Sequence, residues 1–314
     1  MSELPLIIVN PQAAAGSTRE RWAEIASDLR AHFGPFRVAF TKKPGDGIQI
    51  ALEACKRGKR LIIACGGDGT INEVANGILL SEQDVELGIL PSGTGGDFRR
   101  SLNISTEIRQ AAKQLRESKT KLIDVGRILF TTDSGKKETR YFLNVASYGL
   151  SASVIKRVKS MNFNWLPISE MRGQVNFALS TLQEIIGLDY VYSKIRVDKH
   201  RESALSSLNF CICNARFFGG GMKIAPNAKL DDGAFDIVNI GNISALRVLL
   251  NSYTLYRGTH LDLPEVQTTS ASFIQAEPFH TGQKIRLEAD GELIGFLPAE
   301  FEIIPKALKI RVPA

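Results

Sequence analysis

Gly66-Gly67-Asp68-Gly69-Thr70 constrains this chain more than any other stretch, because it joins the apolar run Leu61-Ile62-Ile63-Ala64-Cys65 to Ile71-Asn72-Glu73-Val74-Ala75-Asn76-Gly77. A short apolar run closed by glycines reads as a buried strand, and Ile71, Val74, Ala75 and Ile78 fall on one helix face. The glycines are therefore expected on a strand-to-helix turn. Residues without a Cβ let a ligand approach the backbone, and the unpaired N–H groups of a helix start favour an anion such as phosphate. Asp68 would stand among them, where a carboxylate suits phosphate only with Mg²⁺ or a hydroxyl nucleophile in between. Taken alone, Gly-Gly-Asp-Gly is equally well a tight turn.

The same strand-helix unit recurs on both sides of this turn. Leu4 to Val9 is a continuous apolar run ending in Asn10-Pro11. Ser17 and Glu20 form a capping-box pattern for a helix that places Trp22, Ile25, Ala26, Leu29 and Phe33 on one face. Phe36 to Phe40 precedes a helix through Ile48, Ala51, Leu52 and Cys55, and Leu87 to Leu90 continues the series. Such alternation implies a parallel sheet covered on both faces, with ligands bound where loops leave the carboxyl ends of the strands. Asn10, Thr41, the glycine turn and Pro91-Ser92-Gly93-Thr94-Gly95-Gly96-Asp97 would gather on that edge and could surround one nucleotide. Arg99 and Arg100 follow, as phosphate or lipid contacts or as a solvated helix surface.

After a helix through Ile108, Ala111, Ala112 and Leu115, the texture changes near Leu122-Ile123-Asp124-Val125-Gly126. Strand-like runs then dominate: Arg127 to Phe130, Tyr141 to Ala146, Tyr190 to Val197, Ser207 to Cys213, Ala234 to Ile240, Thr268 to Ala276, Lys284 to Leu287 and Glu300 to Ile304. Asp133-Ser134-Gly135 supplies turn chemistry between the first two. Many antiparallel strands suggest a β-sandwich second domain, interrupted by helices through Val175, Ala178, Leu179, Leu182 and Ile186 and through Leu246, Leu249, Leu250 and Tyr253. Asp231-Asp232-Gly233 and Asp290-Gly291-Glu292 both read locally as hairpin or loop turns with solvated carboxylates. Met161-Asn162-Phe163-Asn164-Trp165-Leu166-Pro167, after the basic segment Lys156-Arg157-Val158-Lys159, is either core or a bilayer-touching loop.

With 314 residues, 44% of them hydrophobic, the chain can bury a full core and divide into two domains. It has no run of about 18 apolar residues, and its start lacks a basic segment followed by an apolar one, so a cytoplasmic location is expected. Cys55, Cys65, Cys211 and Cys213 sit in apolar patterns, as small core residues rather than a metal or disulfide set. The four histidines are too scattered for zinc. A net charge of +6 favours an anionic partner, and without a helix-turn-helix pattern or aromatic platform nucleic acid is not expected.

Gly66 to Asn72 with Glu73, Val74, Asn76 and Gly77 resembles the signature of the diacylglycerol kinase catalytic-domain family, the YegS-like bacterial lipid kinases related to sphingosine and ceramide kinases. Gly219-Gly220-Gly221-Met222 through Pro226 to Asp232-Gly233 resembles its second-domain signature. Ala276-Glu277-Pro278-Phe279, Asp290-Gly291-Glu292 and Pro298-Ala299-Glu300-Phe301-Glu302-Ile303-Ile304-Pro305 resemble its carboxyl-terminal block. The resemblance implies an α/β plus β fold: a Rossmann-like, phosphofructokinase-like three-layer nucleotide domain over residues 1–125, a β-sandwich lipid-binding domain over 126–305, and a segment 306–314 returning to the first, with the active site in the cleft between domains.

It further implies ATP bound by Asn10, Thr41, Gly66, Gly67, Asp68, Gly69, Thr70, Ile71, Asn72 and Thr94. Where the family commonly has Asn before Asp97, this chain has Gly96. Mg²⁺ would be held by the Asp232 carboxylate and the carbonyls of Lys229 and Ala234, and Asp124 matches a position in a metal-water network. The proton acceptor matches Glu292, with Asp68 as rival base. The implied activity is transfer of the γ-phosphoryl group of ATP to a lipid hydroxyl, at a membrane surface touched peripherally; a homodimer stays open. Diacylglycerol, monoacylglycerol, phosphatidylglycerol, sphingoid bases and ceramide are all open as acceptors. An NAD kinase-like enzyme and a non-catalytic nucleotide or lipid sensor are the alternatives.

Overall fold

A computed structural model describes residues 4–93, 96–160, 187 and 189–314. The chain forms two compact units, Met1–Asp124 with Pro305–Ala314, and Val125–Ile304.

In the first unit, strands β1 (Leu6–Val9), β2 (Arg37–Phe40), β3 (Leu61–Gly66) and β4 (Glu86–Pro91) alternate with helices α1 (Ser17–Glu20), α2 (Trp22–His32), α3 (Asp46–Lys56), α4 (Asp68–Ser81), α5 (Asp97–Ser101) and α6 (Ile108–Arg116). β3 pairs with β1 on one side and β4 on the other, β1 with β2, and every pairing is parallel. Lys309 and Ile310 of the returning chain add a further parallel neighbour to β4. Ile7, Ile8, Val9, Ile62, Ile63 and Ala64 are wholly inaccessible, as strands covered on both faces must be. Each fully buried aliphatic side chain contributes about 1.5–3 kcal/mol, and Ile25, Leu29, Val74 and Leu115 extend this core to the helices.

The capping box does not form. Gly16, at φ +94°, stands at the N-cap of α1, neither Gly16 nor Arg21 caps through a side chain, and α2 starts separately at Trp22. Thr18 is the residue of this segment that bonds inward, its hydroxyl reaching Ala13 O at 3.2 Å and Ser92 O at 3.1 Å.

The second unit is built from antiparallel strands. They are β5 (Lys119–Thr131, which begins in the first unit), β6 (Lys137–Phe142), β7 (Val145–Gly149), β8 (Val191–Val197), β9 (Ser203–Ser207), β10 (Asn209–Cys213), β11 (Phe235–Ile240), β12 (Val266–Ala271), β13 (Phe273–Pro278), β14 (Arg286–Ala289) and β15 (Glu292–Val312, which ends in the first unit). β12-β11-β10-β7-β14-β15 follow in order, and β13 continues from β15 through β8 to β9. Phe142, Tyr148, Phe210, Phe235, Ile274, Leu287 and Phe301 fill the sandwich between them. Helices α7 (Leu150–Ser160) and α8 (Ala245–Arg257) are appended.

Two apolar runs expected as single strands are each broken by an aspartate that takes backbone N–H groups out of the ladder. Asp290 accepts bonds from Leu143, Asn144 and Val145, separating β6 from β7. Asp198, at φ +49°, accepts from Ser272 and Phe273 and separates β12 from β13. The expected helix through Val175 and Ile186, and the Met161–Pro167 stretch, lie outside the described residues. The helix expected through Leu246, Leu249, Leu250 and Tyr253 forms, but these four side chains point to solvent while Leu255 packs inward.

Candidate active site

The order in which strands join the sheet reverses between β1 and β3. From β1 the sheet grows one way to β2, and from β3 the other way to β4, so the loops after β1 and β3 leave the sheet side by side and part. Such switch points open a crevice at the carboxyl ends of the strands. Asn10, first after β1, donates its N–H to Cys65 O at 3.0 Å, and its side-chain Nδ2 reaches Thr70 Oγ1 at 3.1 Å. The two loops are thus tied across the crevice by residues of the expected nucleotide set.

The glycine turn is narrower than a strand followed by a loop. Gly67 has extended backbone and stands as N-cap, so α4 begins at Asp68 and the N–H groups of its first turn lie within the motif. A Cβ on Gly66 would lie 2.4 Å from Thr70 Oγ1, so that hydroxyl occupies the space a side chain would take. The loop after β4 crosses directly over this turn. Ser92 N–H bonds Gly66 O at 3.0 Å, and a Cβ on Gly93 would lie 2.6 Å from Gly67 Cα. Backbone therefore rests on backbone, and the helix start stays uncovered by side chains from either glycine. Thr94 and Gly95 lie outside the described residues.

Asp68 fastens this arrangement. Its Oδ2 accepts the Asp97 N–H at 2.9 Å and its Oδ1 the Phe98 N–H at 3.1 Å, so one carboxylate caps the first turn of α5. Asp97 in turn accepts from Arg100 at 2.8 Å, which places Arg100 in an ion pair rather than on a solvated surface. Arg99 donates to Ile104 O at 3.3 Å; partial burial lowers its basicity first and the Arg100 charge second, against the pull of Asp68 and Asp97. Thr41 is buried, its N–H bonded to Val9 O at 2.9 Å. Ile71 belongs to the core by its side chain, and its N–H bonds Gly67 O. Asn72 is buried and accepts from Asn76 Nδ2 through both its carbonyl and side-chain oxygens.

The residues behind the motif are structural. Glu73 reaches from α4 to the N–H groups of Gly45 and Gly47 at 2.8 and 2.9 Å, fixing the turn that starts α3. A Cβ on Gly77 would lie 2.4 Å from Ile48 O, so glycine there lets α3 and α4 touch. Asp124, matched by resemblance to a metal-water network, is held here by a backbone bond. It is buried and accepts the Lys306 N–H at 2.7 Å, anchoring the returning chain to the first unit.

In the second unit, Asp231 and Asp232 stand exposed in the turn before β11, with Gly233 at φ +75° and Ala234 N–H directed at Asp232 Oδ1 at 3.3 Å. Sequence reading overlooked Asp236, which lies on β11 beside them. Burial raises its carboxyl above the usual range, the Asp232 charge raises it further, and Lys229 opposes this. Among the described residues no three His, Cys, Asp or Glu converge on a metal. Two mutually repelling carboxylates nevertheless suit a hard divalent cation, which takes oxygen ligands and relieves the repulsion.

Asp290 and Gly291 form the two-residue turn between β14 and β15, with φ +49° and +81°. Glu292, the first residue after it, is partly exposed, and Arg140 Nη2 donates to its Oε2 at 2.5 Å. The turn is gripped from beneath. Asp290 takes the three N–H groups of residues 143–145, and Glu288 accepts the Gly291 N–H at 3.1 Å and the Ser147 hydroxyl. Glu288 is buried, which pushes its carboxyl up to about 7 despite those two donors. Arg140, Ser147 and Glu288 were not singled out from the sequence; Arg140 lies 152 residues from its partner, and no local pattern links them.

The family model for the diacylglycerol kinase catalytic domain matches residues 5–128, and that for the YegS C-terminal NAD kinase beta sandwich-like domain matches residues 144–312. A diacylglycerol kinase of Staphylococcus haemolyticus is 30% identical over 316 aligned residues, spanning 100% of this chain and 89% of that protein. A diacylglycerol kinase of Bacillus subtilis is 28% identical, spanning 98% of this chain and 95% of its own length. A crystal structure of a candidate diacylglycerol kinase from Bacillus anthracis superposes with a TM-score of 0.76 at 26% identity, covering 99% of this chain and 95% of that one.

Proposed function

Since the chain belongs to the diacylglycerol kinase family and is an ATP-dependent lipid kinase, we propose that its acceptor is the free hydroxyl of diacylglycerol, phosphorylated in place at the membrane surface. The observation that carries the nucleotide half is the close crossing of Gly93 over Gly67 beside the β1–β3 switch point, which puts no side chain of either glycine on the α4 helix start that would receive anionic oxygens.

In this reading, Asn10, Thr41, Gly66, Gly67, Gly69, Thr70, Ile71, Asn72 and Thr94 form the ATP site, their backbone N–H groups and hydroxyls holding phosphate and sugar. Asp68 positions the loop after β4 through its two backbone bonds. Glu292 accepts the proton of the lipid hydroxyl as that oxygen attacks the γ-phosphorus and the bond to ADP breaks. Arg140 orients the Glu292 carboxylate. Asp232, with the carbonyls of Lys229 and Ala234, would hold Mg²⁺, which when bound neutralises local carboxylate charge.

The test supplies γ-labelled ATP with vesicles of phosphatidylcholine carrying diacylglycerol, monoacylglycerol, ceramide or sphingosine in turn, and with NAD as a separate acceptor. Label in phosphatidic acid alone is the expected result. Label in NAD, or in a sphingoid product with none in phosphatidic acid, would overturn the proposal.

A further inference from the structure

Helix α8, Ala245–Arg257, turns its apolar face the wrong way for a soluble fold. Leu246 is 68% exposed, Leu250 64% and Tyr253 54%, with Leu249 and Tyr256 beside them. Positions 246, 250, 253 and 257 fall along one line of a helix, so the stripe runs the length of α8 and ends on Arg257, whose guanidinium lies 5.3 Å over the Tyr253 ring. Such a contiguous exposed stripe marks an interaction surface rather than ordinary surface scatter. The inner side is firmly seated. Leu255 packs against the cluster of Ile224, Ala225 and Ala228, Lys223 N–H bonds Leu255 O at 2.7 Å, and His260 binds Ile224 O at 3.0 Å. The helix therefore cannot turn over to bury its leucines.

The charges state which partner the face fits. The helix carries Arg247 and Arg257 and no acidic residue, in a chain of net charge +6. Arg247 pairs with Glu265, whereas Arg257 stands at the end of the stripe beside tyrosines. Leucines flanked by tyrosine and arginine suit the boundary between acyl chains and anionic headgroups, with aromatic rings at headgroup level. A second copy meeting this face across a two-fold axis would bring like-charged guanidinium groups toward each other with no carboxylate on the helix to offset them.

We infer that the outward face of α8 inserts into anionic lipid bilayers and holds the enzyme on the surface that carries its substrate. The inference rests on the lipid-kinase reading and names the surface through which that reading is carried out. The same helix braces, through Ile224 to Ala228, the segment leading to the Asp232 turn, so docking and the candidate cation loop share one packed support.

The test compares wild type with Leu246→Ser/Leu250→Ser and with Arg257→Gln in sedimentation with phosphatidylcholine vesicles with and without phosphatidylglycerol. Losing two leucines should weaken partitioning about 100-fold, and losing the arginine about fivefold on anionic vesicles only. Phosphorylation of vesicle-borne diacylglycerol should fall in parallel, while a short-chain diacylglycerol dispersed as monomers is converted at the wild-type rate. Leu246→Phe/Leu250→Phe, which keeps the face apolar, should retain binding and so separate docking from misfolding.

Unchanged vesicle partitioning in the serine variant overturns the inference. So does a wild-type dimer that becomes monomeric in the serine variant with vesicle binding intact, which assigns the face to a second copy. Should wild type phosphorylate no lipid, the kinase reading fails by itself, while the vesicle comparison still decides the docking claim.

Discussion

Gly67 and Gly93 face each other across one crossing, yet substitution should hurt at only one of them. Among the described residues, a methyl group on Gly67 would meet nothing nearer than Gly93 Cα at 3.7 Å, an ordinary contact, and its backbone at φ −90° accommodates alanine. A methyl group on Gly93 would lie 2.6 Å from Gly67 Cα and 3.0 Å from Gly67 N, so the two backbones must part by about 1 Å. Neither contact atom is the end of a pliable side chain. Overpacking of this kind costs about 1–3 kcal/mol, and if the strain falls on the helix start that receives phosphate, ATP binding weakens about 5- to 150-fold.

The assay is titration of each variant with ATP by calorimetry, beside thermal unfolding without nucleotide. Gly93→Ala should melt lower and bind ATP more weakly. Gly67→Ala should melt like the wild type, and any loss of affinity there would reflect the ligand alone. Equal melting temperatures for all three proteins would refute the crossing.

Asp68→Asn replaces one acceptor oxygen with a donor against the N–H groups of Asp97 and Phe98; a loss of about 1–3 kcal/mol in unfolding free energy is expected, measured by denaturant titration. Glu292→Gln should lower kcat on diacylglycerol by about 10²–10⁴-fold with the ATP dissociation constant unchanged, read by steady-state kinetics and calorimetry. Mg²⁺ should raise the melting temperature of the wild type and leave that of Asp232→Asn unchanged, and EDTA should have no effect on the variant.

Glu288 sets a pH dependence. Its folded-state value of about 7 exceeds its unfolded value, so the native state binds the extra proton between them. Stability is therefore greatest below the unfolded value, falls by about 3 kcal/mol in total as pH rises to about 7, and levels off above it. Glu288→Gln should flatten that slope in denaturant melts taken across the range.

Local rules carried the first unit well. Continuous apolar runs at Leu6–Val9 and Leu61–Gly66 give strands buried on both faces, and the glycines between a strand and a helix give the expected strand-to-helix turn. What escaped was what a side chain does at a distance. Asp290 and Asp198 look like turn residues in sequence, yet each captures backbone donors far along the chain and splits a strand-like run in two. Ser203–Ser207 is a strand by pairing with β8 alone, since it offers no apolar alternation to read.

The capping box failed because Gly16 in left-handed backbone ended the previous turn and began a four-residue helix that stops at Arg21. In α8 the periodicity was right and the inference from it incomplete. An apolar stripe marks a face that seeks apolar surroundings, and those need not be the protein's own core. Resemblance named Glu292, but its ion pair with Arg140 and the buried support from Glu288 are products of strand register that no single stretch encodes.

Catalysis by the proposed route requires the nucleotide phosphates to rest on the glycine turn. Backbone amide resonances followed during ATP titration, without lipid, address this most directly. Large shifts should appear at Asn10, Gly66 to Asn72 and Ser92 to Gly93, the residues that meet at the β1–β3 switch point. Saturable ATP binding that leaves those amides unmoved, and shifts a different surface instead, would contradict it.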